Sequence, residues 1–332
     1  MPLGTNNVTL ANVGAFVPAL WSDEVVASYK SNIVTAQLVR RLNHRGKKGN
    51  TITIPNPVRA TANAKVAGNQ VTLIAGDSDT GISVSINKQY EYSRFIEDIV
   101  EVQALASVRR FYTDDGGYAI AKQVDKDLIS VAAYNGNGST PGSSQAAIGA
   151  DGNITSALAN AYIGDFSANW DYTAGSTNAV DLSDLGIRRG IAKLDGVDAP
   201  MAGRVLQIRP NEKADMLGWA RFTEAAFTGE KRNGNSIRNG LVGDVYAMDV
   251  YVTNQLYQVD NSTGSGNTAG DLLLMFQRDG LLLVEQMGVR TQTQYKQEWL
   301  ADLFTADMIY GVACLRPSSV LPIVVPVSFT DG

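Results

Sequence analysis

The chain has one cysteine, Cys314, and one histidine, His44, among its 332 residues. A single cysteine excludes an intrachain disulfide and fits a reducing compartment such as a bacterial cytoplasm. One residue of each type nearly excludes a structural zinc site, which needs four such ligands. A Ser-His-Asp or Cys-His catalytic site would have to use His44, which lies in the basic, glycine-broken connector His44–Gly49. Because a catalytic base is held in a rigid setting, we interpret His44 as a solvated loop residue.

Charged side chains are also scarce. They make up 18% of the chain, compared with about 25% in typical soluble domains. The formal net charge is −5, so the chain as a whole is not attracted to phosphate, and any DNA contact is local or absent. A surface with few charges fits a protein that is largely covered by its neighbours.

Long apolar runs are missing as well. No uninterrupted apolar segment approaches the ~18 residues that span a bilayer. The mildly apolar segment Leu10–Trp21 is too short for a secretion signal and has no positive flank. We therefore expect no membrane partner, and a protein that acts in the cell that makes it or leaves by lysis.

The candidate metal and phosphate sites are weak. Asp114–Asp115 and the pair Asp125 and Asp127 could ligate a metal through carboxylates, but paired acids on a helix face are usually only solvated. Gly264–Gly270 is similar to a dinucleotide-binding glycine pattern, with the wrong spacing and no strand-to-helix context. We predict no catalytic, cofactor-binding or metal-binding residues and no cofactor. The chain is therefore predicted to be a structural or binding protein and not an enzyme.

The positive charge is densest in the first fifty residues. Two interpretations stay open for this cluster: contact with nucleic acid or an acidic partner, or a solvated helix end. Arg59 and Lys65, further along, could form ion pairs with a neighbouring chain or lie in solvent. The cluster consists of Arg40, Arg41, Arg45, Lys47 and Lys48.

The first third of the chain reads as an arm, a helix and a hairpin. Residues 1–20 are predicted to be extended, and a helix capped by Ser22 follows, with Leu38 and Leu42 on its apolar face and Arg40 and Arg41 near its end. Alternating residues predict strands at 51–54, 71–75 and 82–86. This long hairpin has few large side chains, and an isolated hairpin is marginal in water. We find no face of its own chain for it to pack on, and expect it to lie on another molecule.

Helical spacing is predicted to begin at residue 93. The first stripe ends before Gly116 and Gly117, so the segment is one long amphipathic helix or two helices that break at the glycines. Lys122, Gln123, Asp125 and Lys126 are predicted to lie on the side opposite the second apolar stripe. The apolar residues are Phe95, Ile99, Val102 and Leu105 in the first stripe, and Ile120, Val124, Leu128 and Val131 in the second.

The remainder mixes loops, strands and short helices. Without strict strand–helix alternation and without an internal repeat, this order predicts an α+β fold. The predicted elements are a loop-rich stretch at 135–180, a helix at 183–194, a strand at 203–208, a helix that begins at Pro210, a strand at 244–253, a loop at 264–270, a strand at 272–276, two extended stretches within 291–316 and an extended end at 317–327.

Several local patterns, taken in this order, resemble a known fold. They are Phe16–Glu24, Gly203–Pro210, Arg238–Gly243 before Val245–Val252 and Thr253–Asn254, Phe276–Gly280, and Gly311–Pro317. Over nearly the whole chain they resemble the Hong Kong 97-like fold of tailed-bacteriophage and herpesvirus capsid proteins. The likeness is greatest to coat proteins of short-tailed phages.

The resemblance implies a division of the chain into five parts. The fold would comprise an N-terminal arm, an extended hairpin loop that reaches over a neighbour, a long spine helix, and peripheral and axial domains. The parts are residues 1–50 (arm and short helix), 51–92 (extended loop), 93–140 (peripheral domain with the spine helix), 141–270 (axial domain), and 271–332 (return to the peripheral domain and an extended tail).

The function that the resemblance implies is that of a major capsid protein. Copies would form hexamers and pentamers in an icosahedral shell around packaged double-stranded DNA, assembled in the host cytoplasm and found in the virion. The implied partners are a separate scaffolding protein or none, a portal protein and, as an open option, a cement protein. Lys65 and Lys88 are the candidates for a lysine–asparagine cross-link between subunits, although neither matches that motif specifically. The alternatives are an encapsulin-like shell protein, a tail tube or fibre protein, and a carboxylate-based hydrolase.

Overall fold

The computed structural model describes residues 34–56, 62–70, 80–99, 108–173, 178–219, 244–262 and 268–327. Within these ranges the helices are α1 (Thr35–Leu38), α2 (Val108–Asn135), α3 (Asp184–Gly196) and α4 (Pro210–Gly218). The strands are β1 (Arg40–Asn43), β2 (Thr51–Asn56), β3 (Thr80–Ser85), β4 (Lys88–Glu97), β5 (Tyr162–Ile163), β6 (Arg204–Ile208), β7 (Asp244–Val245), β8 (Met248–Val252), β9 (Gln258–Asp260), β10 (Thr268–Gln277), β11 (Leu281–Lys296), β12 (Ala301–Cys314) and β13 (Val320–Val325).

The strands form three sheets. A four-stranded sheet has the order β1-β11-β12-β4, with β1 parallel to β11 and the other pairs antiparallel. A seven-stranded sheet has the order β5-β13-β10-β6-β8-β7, and β9 pairs with β10 beside that path. β2 and β3 form a separate antiparallel hairpin. This mixture of helices with parallel and antiparallel strands confirms the predicted α+β class.

The centre of the seven-stranded sheet is its most apolar part. β10 carries the uninterrupted run Leu272–Phe276, and each of these five side chains is fully buried. β13 and β6 pair with β10 on its two sides and are themselves buried throughout. A strand covered on both faces reads as a continuous apolar run, which is why the sequence predicted it.

Helix α2 packs against strands of both larger sheets, chiefly β12 and β4, and also β13 and β10. Its predicted apolar stripe, Ile120, Val124, Leu128 and Val131, is buried as expected. The helix runs without a break through Gly116 and Gly117, so the structure selects the single long helix. A Cβ atom on Gly116 would lie 2.8 Å from Tyr92 Cδ1, so glycine permits the close approach of the helix to β4.

Helix α2 also contradicts one sequence prediction. Asp125, expected on its solvent side, is fully buried. Asp125 accepts hydrogen bonds from the backbone of the segment that begins α1. An acid that faces another element in this way cannot be told from a solvated one by helical spacing alone.

Two predicted helices are partly strands. The described part of the first helix ends at Leu38, and Leu42 lies in β1, where Arg40–Asn43 pair with Leu282–Glu285 of β11. Residues 93–97 belong to β4, in which Tyr90, Tyr92 and Ile96 turn inward with the two-residue period of a strand. In both places strand pairing with distant residues prevails over local helical spacing.

The predicted strand at 244–253 is a tight hairpin. β7 and β8 pair directly, Asp244 with Asp249 and Val245 with Met248. The two turn residues, Tyr246 and Ala247, both have positive φ angles, 50° and 63°, as a two-residue hairpin of this kind requires. The turn therefore divides the single predicted strand into two paired strands.

Other predictions held or need only adjusted bounds. The helix at 183–194 is α3, which is capped by Ser183, and Pro210 begins α4. The strand at 203–208 is β6, the extended stretches within 291–316 lie in the hairpin of β11 and β12, and the extended end contains β13. β10 already begins at Thr268, so the last three residues of the predicted loop at 264–270 belong to a strand. The arm at 1–20, Ser22, Arg59, the strand at 71–75, and residues 263–267 lie outside the described residues. No described helix is long and apolar enough to cross a bilayer.

Candidate interaction surfaces

The β2–β3 hairpin packs on its own chain at its base. Val84 and Ile86 are buried against Leu282 and Val284 of β11, in a small core separate from the main one. Ile52, Ile54 and Ile82 pack against the same cluster. The expectation that the hairpin has no face of its own chain to pack on is therefore wrong for residues 51–56 and 80–86.

The far end of this hairpin is different. We call residues 62–70 the hairpin tip, and all nine are exposed. Val66 leaves 62% of its surface in solvent. The hydrogen bonds described for the tip are local: Lys65 Nζ donates to the carbonyls of Val66 and Asn69, and the Asn69 N–H donates to Val66 O. The backbone of the tip is therefore ordered by local hydrogen bonds, while its side chains stay exposed.

A second exposed surface lies where β4, β11 and β12 meet at one end of the four-stranded sheet. We call it the sheet-end cluster. β11 and β12 pair as far as Lys296 with Ala301, and the turn between them carries Trp299 and Leu300. The cluster members and their exposed fractions are Trp299 67%, Leu300 65%, Ile99 59% and Phe95 54%; Tyr295, 46% exposed, lies on the opposite face of the sheet from Phe95.

Hydrogen bonds and ring packing fix the geometry of the sheet-end cluster. The ring centroids of Phe95 and Trp299 are 6.1 Å apart. The Asp98 N–H donates to Leu300 O at 3.2 Å, which ties the turn to the end of β4. The Tyr295 hydroxyl donates to Asp98 Oδ2 at 2.9 Å, and this hydrogen bond raises the pKa of Tyr295. The apolar side chains are thus held in place on a defined scaffold.

Two arginines of the positive cluster, Arg41 and Arg45, pair with the same acid, Glu285. Arg45 Nη2 lies 2.7 Å from Glu285 Oε2, and Arg41 Nη1 lies 4.0 Å from Glu285 Oε1. Arg41 Nε also donates to the carbonyl of Ala36. Arg40, Lys47 and Lys48 are exposed. Exposed pairs of this kind contribute about 0–1 kcal/mol, so they position the β1 segment more than they stabilise it.

His44 and the two cross-link candidates lie in unlike settings. His44 is half-buried after β1, and its backbone N–H donates to Glu285 O. Lys65 is exposed on the hairpin tip. Lys88 is largely buried: its Nζ lies 3.4 Å from Asp127 Oδ2 and donates to Gln145 Oε1 at 2.5 Å. Both lysines bond within their own subunit, and Lys65 is the more exposed of the two.

Three of the four candidate acids bond to other parts of the chain. Asp115 accepts from the Tyr92 hydroxyl, Asp125 from the backbone at the start of α1, and Asp127 from the Tyr310 hydroxyl at 2.7 Å. Each acid thus serves a different element. Across the described ranges, no group of three or more His, Cys, Asp or Glu side chains is arranged to hold a metal ion.

One acidic group, at the start of α4, was not expected from the sequence. Burial raises the pKa of Glu212 to about 8, with further contributions from the charges of Asp215, Asp271 and Asp181. Burial also raises the pKa of Asp271, whose Oδ2 lies 3.3 Å from Arg209 Nε. Shifted carboxyl groups are typical of hydrolase sites. Glu212 and Asp271 are 3% and 0% exposed, however, and a general acid must reach its substrate.

Comparison with solved structures gives the fold. The chain is similar to one from Mycobacterium phage Che8, at 23% identity and a TM-score of 0.68, covering 96% of this chain and 98% of that one. It is also similar to the chain in a capsid structure of the cyanophage P-SCSP1u, at 17% identity and a TM-score of 0.70, covering 98% and 97%. A third match is the mature capsid of bacteriophage PhiM1, at 13% identity and a TM-score of 0.65, covering 94% and 93%.

This chain has a phage capsid fold. The match spans nearly the full length of both partners, so the capsid fold accounts for the whole chain and not for one domain of it. No family model matches the sequence, and no curated protein matches it. At these identities the similarity is in the backbone fold, and few residues are shared.

Sequence reasoning missed the sheet-end cluster. It placed Phe95 and Ile99 on the buried stripe of a helix, whereas Phe95 is exposed near the end of β4 and Ile99 is exposed two residues beyond that strand. One feature could have revealed the surface: Trp299 and Leu300 stand in a short polar connection, Lys296–Asp302, between two extended stretches. Large apolar residues in a turn have little intramolecular surface to cover them.

Proposed function

We propose that this chain is a major capsid protein, whose copies assemble into hexamers and pentamers that form an icosahedral shell around a phage genome. The observation that carries the proposal is the capsid fold, which matches capsid chains over nearly the whole length of this chain. The protein then works by assembling and has no catalytic site. Its place is in the virion, after assembly in the cytoplasm of the bacterial host.

The exposure of the hairpin tip supports the proposal, because the tip gains little stabilisation from its own subunit. Ordering backbone costs about 1–2 kcal/mol per residue, and the exposed tip recovers little of this within its own subunit. The base of the same hairpin is anchored in a small core within its own subunit. In the proposed shell, the tip lies on an adjacent copy, where burial of Val66 and its neighbours supplies the missing stabilisation.

The proposed assembly has partners besides further copies of the chain. A separate scaffolding protein and a portal protein belong to the proposal, a cement protein is an optional addition, and double-stranded DNA fills the shell. A net charge of −5 opposes general binding to DNA, so the proposed interior contacts are few and local. The division into arm, extended loop, peripheral and axial parts at 1–50, 51–92, 93–140, 141–270 and 271–332 is likewise proposed.

Imaging of assembled material tests the proposal. We expect negative-stain microscopy to show closed shells of uniform size, formed by the purified chain alone or together with a scaffolding protein encoded beside its gene. Rings or elongated trimers would favour a tail tube or fibre protein instead. A monomer at every concentration, with and without scaffolding protein, would overturn the proposal. Terminase and portal genes next to this one would separate a phage shell from an encapsulin-like one.

A variant of the tip tests its role within the proposal. Residues 62–70 are replaced by a glycine–serine segment of equal length, which keeps the chain connectivity and removes Val66 and Lys65. We expect the subunit to keep its far-UV circular dichroism and its midpoint of thermal unfolding, and to lose the ability to form shells. Shells that form as readily as those of the unaltered chain would contradict an assembly role for the tip.

A further inference from the structure

Helix α4 is attached to the rest of the subunit by few side chains. Of its nine residues, Glu212 and Met216 are the two that are buried. These positions are about one helical turn apart and therefore share one face of the helix. An isolated helix of this length is marginal in water, so α4 depends on the packing of that face. One of the two side chains on which it depends is an acid.

The surroundings of Glu212 are predominantly acidic. Besides its burial, three acids on three parts of the chain disfavour its charged form: Asp215 on α4, Asp271 on β10 and Asp181 before α3. Arg209, directly before α4, is the cation that opposes them. An excess of negative charge around a buried carboxyl group favours its neutral, protonated form.

The hydrogen-bond donors of this region serve other acceptors. Arg209 Nε lies 3.3 Å from Asp271 Oδ2, and Arg209 Nη1 donates to the carbonyl of Leu256 at 2.8 Å. Gln258 Nε2 donates to Asp271 Oδ1 at 3.0 Å. Among the residues that the structure describes, none forms a hydrogen bond with the buried Oε2 atom of Glu212. A buried carboxylate oxygen without a donor is costly, whereas a protonated carboxyl group carries no charge to bury.

We propose that Glu212 is a proton-dependent switch, which keeps α4 packed against the main core while its carboxyl group is protonated and releases the helix when the group ionises. Ionisation adds a negative charge beside the three acids, and Arg209 is already paired with Asp271. Release of α4 exposes the carboxylate to water, which removes the cost of its burial. Met216 is the side chain of α4 that belongs to the main core, so this local opening uncovers little apolar surface. The switch acts within one subunit, whether or not that subunit joins a shell.

The pH range of the release is set by the two pKa values of Glu212. Burial, with the neighbouring acids, raises its pKa from 4.5 to about 8 in the folded subunit. Between these values the packed helix holds a proton that the released helix gives up, so release becomes easier as pH rises. The release equilibrium changes by at most about tenfold per pH unit. Above about pH 8 neither form holds the proton, and the equilibrium becomes constant.

Hydrogen–deuterium exchange of free subunits, read by mass spectrometry from pH 5 to pH 9, tests the switch. Exchange times are scaled for the intrinsic pH dependence of amide exchange. We expect the corrected exchange of peptides that cover 210–218 to rise by up to about tenfold per pH unit and to level off near pH 8. Helix α2 should stay more protected than α4 at every pH, because it opens only when the whole subunit unfolds. Glu212→Gln should flatten the profile of α4, and Glu298→Gln makes the same substitution at an exposed acid and is the control.

Three results would overturn the inference. Corrected exchange of α4 that stays constant from pH 5 to pH 8 would show that no proton controls the helix. Equal protection of α4 and α2 would show that α4 is released only when the whole subunit unfolds. A profile of Glu212→Gln as steep as that of the unaltered chain would assign the proton to another group. The first two results come from the unaltered chain and do not require the variant to fold. None of the three bears on shell formation, which microscopy tests separately.

Discussion

The carboxylate of Asp125 accepts a hydrogen bond of 2.7 Å from the backbone N–H of Ala36, which lies 89 residues earlier in the chain. The same carboxylate accepts from the N–H groups of Val34 and Thr35 at 2.9 and 3.2 Å. The first N–H groups of a helix have no partner within the helix, and here a buried acid on α2 serves as the cap of α1. These hydrogen bonds attach residues 34–36 to α2, the longest of the described helices.

Replacing Asp125 should weaken the attachment of residues 34–36 to α2. Asp125→Asn keeps the size of the side chain but directs an NH₂ group at backbone donors, so buried N–H groups lose their acceptors. We expect the free energy of unfolding to fall by about 1–3 kcal/mol, measured by urea titration. Cleavage by a protease near residues 34–45 should become faster at the same time. Glu298→Gln, which alters an exposed acid in the turn between β11 and β12, is the control and should change neither quantity.

Two adjacent glycines in α2 should respond in opposite directions to alanine. At Gly116 a new Cβ would lie 2.8 Å from the Tyr92 ring, so the helix or β4 must shift, whereas at Gly117 no atom lies within 4 Å. We expect Gly116→Ala to destabilise the subunit by about 1–3 kcal/mol through overpacking. Gly117→Ala should stabilise it by about 0.5–1 kcal/mol, since alanine favours the helix. Thermal unfolding of the two variants side by side measures both, and equal shifts would contradict the packing described.

The stability of the free subunit should depend on the ionisation of Glu212. Its pKa is 4.5 in an unfolded chain and about 8 in the folded one, chiefly because the side chain is buried. Between these values the folded state binds more protons than the unfolded state, so the free energy of unfolding falls as pH rises through that window. The loss contributed by this one group is at most about 1.4 kcal/mol per pH unit.

The variant Glu212→Gln isolates this contribution. Glutamine cannot ionise, so we expect the variant to gain stability relative to the unaltered chain as pH rises from 5 to 9. Urea unfolding at a series of pH values on unassembled subunits gives the comparison. Glu298→Gln makes the same substitution at an exposed acid and is the control. Parallel profiles for Glu212→Gln and the unaltered chain would show that Glu212 ionises normally.

The thiol of Cys314 should be inert in the folded subunit. It is buried at the end of β12, where its backbone exchanges two hydrogen bonds with Gly142, and burial raises the pKa of the thiol to about 12. Because the thiolate is the reactive species, we expect negligible labelling by a thiol reagent at pH 8 and complete labelling in denaturant. Glu298→Cys adds an exposed thiol and should react with one equivalent at once. Rapid labelling of native Cys314 would mean that the end of β12 opens readily.

The sequence predicted a helix or strand correctly where the residues of that segment alone determine its structure. The run Leu272–Phe276 could be assigned as a buried strand because a strand with both faces covered needs apolar residues at every position. Ser183 and Pro210 marked helix starts because capping and a fixed φ act within a few residues. These segments, taken in chain order, were sufficient to indicate the resemblance to a capsid fold.

Only the tertiary structure decided the features that depend on distant partners. Residues 93–97 fit a helical period, yet Phe95 and Ile96 pair with Leu303 and Asp302 in a sheet. Asp125 has the local pattern of a solvated acid, but its three donors lie about 90 residues away. The exposure of Trp299 likewise depends on what the rest of the chain leaves uncovered. The sequence by itself determined which short segments could be strand, helix or turn, because those preferences act over a few bonds. Which surfaces met, and which stayed exposed, was set by contacts across the whole chain.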